Sequence, residues 1–141
     1  MGFEIFLTSV STDEKDRFDR ALVEHAFKNL ADDVSGGHWN LVGADGERYS
    51  AEVDIREEPR LSGFGVSRPP FVPEFWDAMF EIMRQTRTFL FWPDSDPPQC
   101  CIANPDIIHD LPEGMVEALG EPVFASSGAE IEAAVEGRAV G

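Results

Sequence analysis

The chain has 141 residues, 43% of them hydrophobic, and carries a formal charge of −16 from 27 acids against 11 bases. That length fits one domain able to bury a core without disulfide staples, and the apolar content argues against disorder despite the charge. So negative a field argues against nucleic acid and anionic membrane as partners and favours a basic one.

Residues 2–10 place Phe3, Ile5 and Leu7 on one side and Phe6 and Val10 on the other, a pattern that predicts a central strand covered on both faces. Ser11 and Glu14 have capping-box spacing, so a first helix is expected over 11–30 with Phe18, Ala21, Leu22, Ala26, Phe27 and Leu30 as its apolar stripe. Residues 32–37, DDVSGG, end it. A hairpin follows. A two-residue turn at Asp45-Gly46 would set apolar residues of one strand against polar residues of the other. A three-residue loop, Ala44-Asp45-Gly46 with Gly46 left-handed, puts Leu41 opposite Tyr49 and Trp39 opposite Ala51 instead. The second hairpin strand, 48–56, alternates with Tyr49, Ala51, Val53 and Ile55 inward and leaves its other face wet.

Residues 61–68 read as a third strand whose glycines allow close backbone approach, stopped by Pro69-Pro70. Pro73 opens the clearest amphipathic helix, 73–85, expected to cover the hairpin sheet with Phe75, Trp76, Met79, Phe80, Ile82 and Met83. Residues 88–92 read as a buried strand, 93–98 as a polar loop and 99–103 as a short strand. Asn104 caps a short helix over 105–111, which Pro112 restarts and Gly120 ends. Residues 122–125 form a last strand, and Ser127 with Glu130 caps a final helix to about residue 136. The whole predicts a single α+β domain spanning 1–141: a mixed, mostly antiparallel sheet of about six strands with helices packed on it. Helix crossovers in the C-terminal half permit a parallel pair.

Chemistry-bearing motifs are sparse. Asp94-Ser95-Asp96 is too short for a calcium loop and is read as a turn. Cys100 and Cys101 with His109 lack the ligand number and spacing of a zinc site, and adjacent cysteines make a strained bridge. No motif joins either cysteine to His25, His38 or His109 as a nucleophile, and the phosphate-cradling, dinucleotide-binding and nucleophile-elbow patterns are missing from the sequence. The expectation is no metal, no cofactor and no catalytic residue. Residues 1–10 lack a basic leader region and no apolar run approaches a membrane span, so a cytoplasmic protein is expected.

Charge is the most informative feature. Residues 1–87 hold 17 acids and 10 bases, while residues 88–141 hold 10 acids and a single base, Arg138. Acids of the first part can find arginines, as Asp16 and Arg20 can at helical spacing. Those of the second part have no local cation and are expected to face solvent or a partner. The reading that follows is an acidic protein-binding module that neutralises a basic protein, in the manner of an immunity protein or antitoxin. Asp94, Asp96, Asp106, Asp110, Glu113 and Glu117 would face that partner, with Trp92 and Tyr49 as aromatic anchors if exposed. Two alternatives stand beside it: an acidic secretion chaperone or adaptor acting as a dimer, and a small-molecule enzyme with a pocket between the second helix and the loop from Trp92 to Cys101. Monomer and homodimer are left open.

Overall fold

In a computed structural model, which describes residues 4–43, 46–92, 99–112, 114–119 and 121–140, the chain forms one α+β domain around a seven-stranded sheet. Strand β1 (Glu4–Ser9) is followed by a 3-10 turn (Glu14–Asp16), β2 (Phe18–Asp19), α1 (Arg20–Phe27), the hairpin β3 (His38–Val42) and β4 (Arg48–Asp54), and β5 (Arg60–Leu61). Then come β6 (Gly63–Ser67), α2 (Pro73–Gln85), β7 (Thr88–Trp92), β8 (Gln99–Ile102), a second 3-10 turn (Pro105–Ile107), α3 (Met115–Leu119), β9 (Val123–Phe124) and α4 (Gly128–Val140). The sheet order is β3-β4-β6-β1-β7-β8-β9, and β2 and β5 make a separate two-stranded ribbon. Pairing is antiparallel except at β8 and β9, the parallel pair that the helical crossover allows.

Strand β1 is central, as its two-sided apolar pattern requires, and pairs with β6 and β7. Ile5 and Leu7 join the main core, in which α2 contributes Phe75, Trp76, Met79, Ile82 and Met83, α1 Val23 and Phe27, and α4 Ile131 and Val135. On the opposite face a smaller core gathers Val10, Phe89, Cys100, Ile102, Ile107 and Met115. Helix α2 begins at Pro73 because proline's fixed φ and missing N–H suit the first helical position. It packs against both α1 and α4.

Three expectations are corrected. The first helix does not start at Ser11. The Ser11 hydroxyl donates to Asp16 Oδ2 at 2.5 Å and accepts the Asp13 N–H at 3.1 Å, so it closes a local turn. Phe18 then pairs with Leu61, and the helix waits until Arg20. Arg20 bonds Glu24 rather than Asp16, and its guanidinium donates to the carbonyls of Val34, Gly36 and Arg56.

The hairpin turn follows expectation at its base. Gly43 N–H donates to Glu47 O, Gly46 has φ +85°, and Val42 lies opposite Arg48; Ala44 and Asp45 themselves fall outside the described residues. Between Val42 and Asn40 a bulge shifts the register, so Trp39 faces Val53 and not Ala51. Both are fully buried, and the shift brings two large apolar side chains together where the core is deepest.

Candidate functional site

The residues expected to meet a partner divide into three groups. Asp94, Asp96 and Glu113 lie outside the described residues, as does the loop 93–98. Trp92 is 0% exposed and packs in the main core with Leu90, Cys101 and Ala103, so it is no surface anchor. Its place at the end of a strand buried on both faces leaves no face for solvent. Tyr49 is half-buried against the same core. Asp106, Asp110 and Glu117 are exposed.

Asp110 departs from the expectation that these acids lack a cation: it is paired with Arg87, the last base before the stretch that holds only acids. Arg87 also donates through Nε to Asp16 Oδ1 at 2.7 Å. Asp16 is almost wholly buried, and the Ser11 hydroxyl, then Arg87, hold its carboxyl below the usual range. This Ser11–Asp16–Arg87–Asp110 chain ties the segment after β1 to the turn after β8. Asp106 instead contributes its N–H, which donates to Asn104 Oδ1 at 3.0 Å in the expected cap.

A second acidic surface was not visible in the sequence. Helix α2 presents Glu74 and Asp77 in its first turns, and α4 presents Glu132 and Glu136, four residues apart. The helices meet closely at their N-terminal ends. A Cβ on Gly128 would collide with Asp77 Oδ1 and stand 2.7 Å from Asp77 N, so only glycine permits this contact. The first turn of α4 is fixed by Ser127 Oγ, which accepts the Glu130 N–H at 3.2 Å, while Glu130 accepts from Ser126 N–H at 2.8 Å. Glu132 is the consequence: partial burial, then the charges of Glu136, Asp77 and Glu74, push its carboxyl above its ordinary value. Among the described residues, none of these four acids has a cation within ion-pair distance.

No protein-family model, no curated protein and no solved structure matches the chain. Function therefore rests on the site itself.

The remaining chemistry is muted. Burial pushes the Cys100 thiol up to about 11 and the Cys101 thiol up to about 12, so both are held protonated, the reverse of what a nucleophile needs. His25 and His109 are exposed. His38 lies 2.8 Å from Asp54 Oδ1 and 3.6 Å from Glu52 on the open sheet face, and Asp54 foremost raises its pKa. Among the described residues, no group of three or more His, Cys, Asp or Glu able to hold a metal occurs, and no helix is long and apolar enough to cross a membrane. A cleft of about 540 Å3 opens away from Trp92, above β6 and β1, lined by Phe6, Thr8, Asp54, Arg56, Gly63 and Gly65. Its glycines have local reasons: a Cβ on Gly63 would lie 2.5 Å from Leu7 O, and the Phe6 ring covers Gly65.

Proposed function

We propose that the protein is a non-enzymatic acidic binding module of the cytoplasm that engages and neutralises a basic protein, as an immunity protein or antitoxin does. The observation that carries this reading is the gathering of Glu132 and Glu136 with Glu74 and Asp77 where α4 meets α2, with no cation in ion-pair contact among the described residues. Folding gathers these like charges and leaves their repulsion in place, at a cost to stability. A binding partner that supplies the missing cations relieves that cost, and the same field draws the partner in from a distance. Exposed Asp106 and Glu117 add negative charge beside the smaller core, on the other face of the sheet. Well-shielded thiols support a binding role over thiol chemistry.

The test begins with capture of a partner from native lysate at low salt, elution by a salt gradient and identification by mass spectrometry. Association of the purified pair is then followed by stopped flow across ionic strength, for wild type and for Glu132→Lys/Glu136→Lys. The double variant is expected to associate roughly tenfold more slowly at low salt and to show a flatter salt dependence. Equal rates for the two proteins at every ionic strength would remove the α2–α4 face from the reading. A captured partner with no basic surface would sink the reading altogether.

A further inference from the structure

The two edges of the seven-stranded sheet are finished differently. Outside β3 the chain folds back: Val42 N–H donates to Leu30 O at 2.7 Å, Asp32 N–H donates to Asn40 O at 3.0 Å, and Ala31 forms a bridge with Leu41. Outside β9 no described residue forms a backbone hydrogen bond. The register with β8 fixes which groups are left over. Cys101 lies opposite Val123 and Ile102 opposite Phe124, and the Ala125 N–H is committed to Ile102 O at 2.9 Å. Because successive residues of a strand turn their polar groups to opposite sides, the N–H and C=O of Phe124 and the C=O of Pro122 point away from the sheet.

The side chains repeat the pattern. Four large apolar residues are notably exposed among those described, and two are adjacent on β9: Val123 at 38% and Phe124 at 51%. Of the others, Phe71 is stacked on Trp76. An open edge bearing apolar side chains is a template for another strand, and proteins that avoid such pairing put lysine there or cover the edge. Among the described residues neither device is present at β9. Pro122 limits the ladder on one side, so the site accepts a short segment.

Charge selects the occupant. The edge lies in the half of the chain with 10 acids and a single base, and exposed Glu117 and Glu121 precede it directly. A second copy would bring like charge to like. We propose that β9 is the docking edge for an extended, lysine- or arginine-bearing segment of the basic partner, which adds to the sheet as an eighth strand. Backbone hydrogen bonds to Phe124 set its register, apolar side chains pack on Val123 and Phe124, and its basic side chains meet the surrounding acids. This inference rests on the acidic-binding reading above and specifies where and how the partner is held.

Synthetic peptides test it without the natural partner: one of alternating Lys and Val, and one of the same charge with Pro in place of Val, which cannot donate to a strand. Binding is measured by calorimetry at low salt, and exchange of the Phe124 amide by NMR. The Lys-Val peptide is expected to bind more tightly and to protect the Phe124 amide. Phe124→Pro removes the outward N–H while sparing the bonds to β8, and it is expected to weaken the Lys-Val peptide roughly tenfold, with no change for the Lys-Pro peptide. Should that variant fold poorly, Phe124→Ser keeps the donor and loses the apolar contact, and is expected to bind with intermediate affinity. Equal binding of both peptides with an unprotected Phe124 amide would overturn strand addition and leave the acidic reading intact. If neither peptide bound at low salt, both readings would be overturned. A wild-type dimer dissociated by Phe124→Pro would make the occupant a second copy and overturn the inference.

Discussion

Replacing Arg20 by Met probes the most densely bonded charge in the fold. Its guanidinium donates to Glu24 at 2.8 Å, Arg56 O at 2.7 Å, Val34 O at 3.0 Å and Gly36 O at 2.6 Å, and it lies 5.6 Å from the Trp39 ring centre. Methionine fills similar space and donates nothing. Gly36 O keeps a partner, since the Trp39 Nε1–H also donates to it at 2.8 Å. Val34 O and Arg56 O lose theirs, at about 1–2 kcal/mol each for partly buried acceptors, and the lost ring contact adds about 0.5–1 kcal/mol. Release of Glu24 to solvent and relief of a desolvated charge offset part of this. The net expectation is a loss of about 3 kcal/mol. With a urea m-value of about 2 kcal/mol/M for a domain this size, the midpoint falls by roughly 1.5 M at unchanged m. Arg20→Lys should fall between, because one ammonium cannot span the carbonyls that the planar fork reaches. A midpoint drop below about 0.5 M for Arg20→Met would refute the view that this arginine clamps the segments before β3 and after β4.

Gly128→Ala is expected to cost about 1–3 kcal/mol, because the added methyl meets the Asp77 backbone as well as its carboxylate; an unchanged Tm would contradict the contact. Adding Asp77→Ala should restore only part of the loss. For Glu132 the folded carboxyl holds its proton more tightly than the unfolded one, so stability is unaffected at low pH and falls as pH rises from the ordinary value of 4.5 through the raised folded one. Glu132→Gln should therefore be more stable than wild type at neutral pH and should lose that advantage at low pH, as read from urea midpoints across pH. Asp16 has the opposite sign: its lowered pKa gives stability that is present above the ordinary value of 3.8 and lost as pH falls through the folded value, and Asp16→Asn should abolish that step. Neither Cys100 nor Cys101 should react with a disulfide reagent at about pH 8 until the protein unfolds, after which both should; fast labelling of the native protein would show an accessible thiolate.

Local signals carried far where the partners of a residue lie close in sequence or its pattern is strong. Helix α2 was legible to the residue because proline placement and a 3.6-residue period agree, and β7 because an unbroken apolar run admits only burial. The Ser127–Glu130 and Asn104 caps were legible for the same reason. Ser11 and Glu14 have the same spacing as Ser127 and Glu130, yet Ser11 is drawn to Asp16, whose cation comes from Arg87 far along the chain. Leu61 likewise takes Phe18 into a strand pair that no local window reveals. The turn at Gly46 was readable, whereas the bulge beyond it answers to the core that Trp39 and Val53 enter. The same limit governs the charge reading. The sequence showed the acidic half and a buried strand over 88–92, but that burial extends to Trp92 at the strand's end was settled only once the sheet was assembled, and Glu74 and Asp77 meet Glu132 and Glu136 only because Gly128 lets α4 approach α2.

The central place of β1 also sets the order in which the protein can be made. Its neighbours are β6, reached in the pairing of Glu4 with Ser67, and β7, reached in the pairing of Phe6 with Phe91. At a synthesis rate of about 5–20 residues per second, β1 waits several seconds on the ribosome before either neighbour exists, with both of its edges unpaired. The hairpin of β3 and β4 closes in the meantime, but β4 pairs with β6 and not with β1. Assembly is therefore dominated by distant pairings, which predicts slow, late folding for a domain of this length. Nascent chains halted before Gly63 should bind a chaperone, and chains extended past Trp92 should release it.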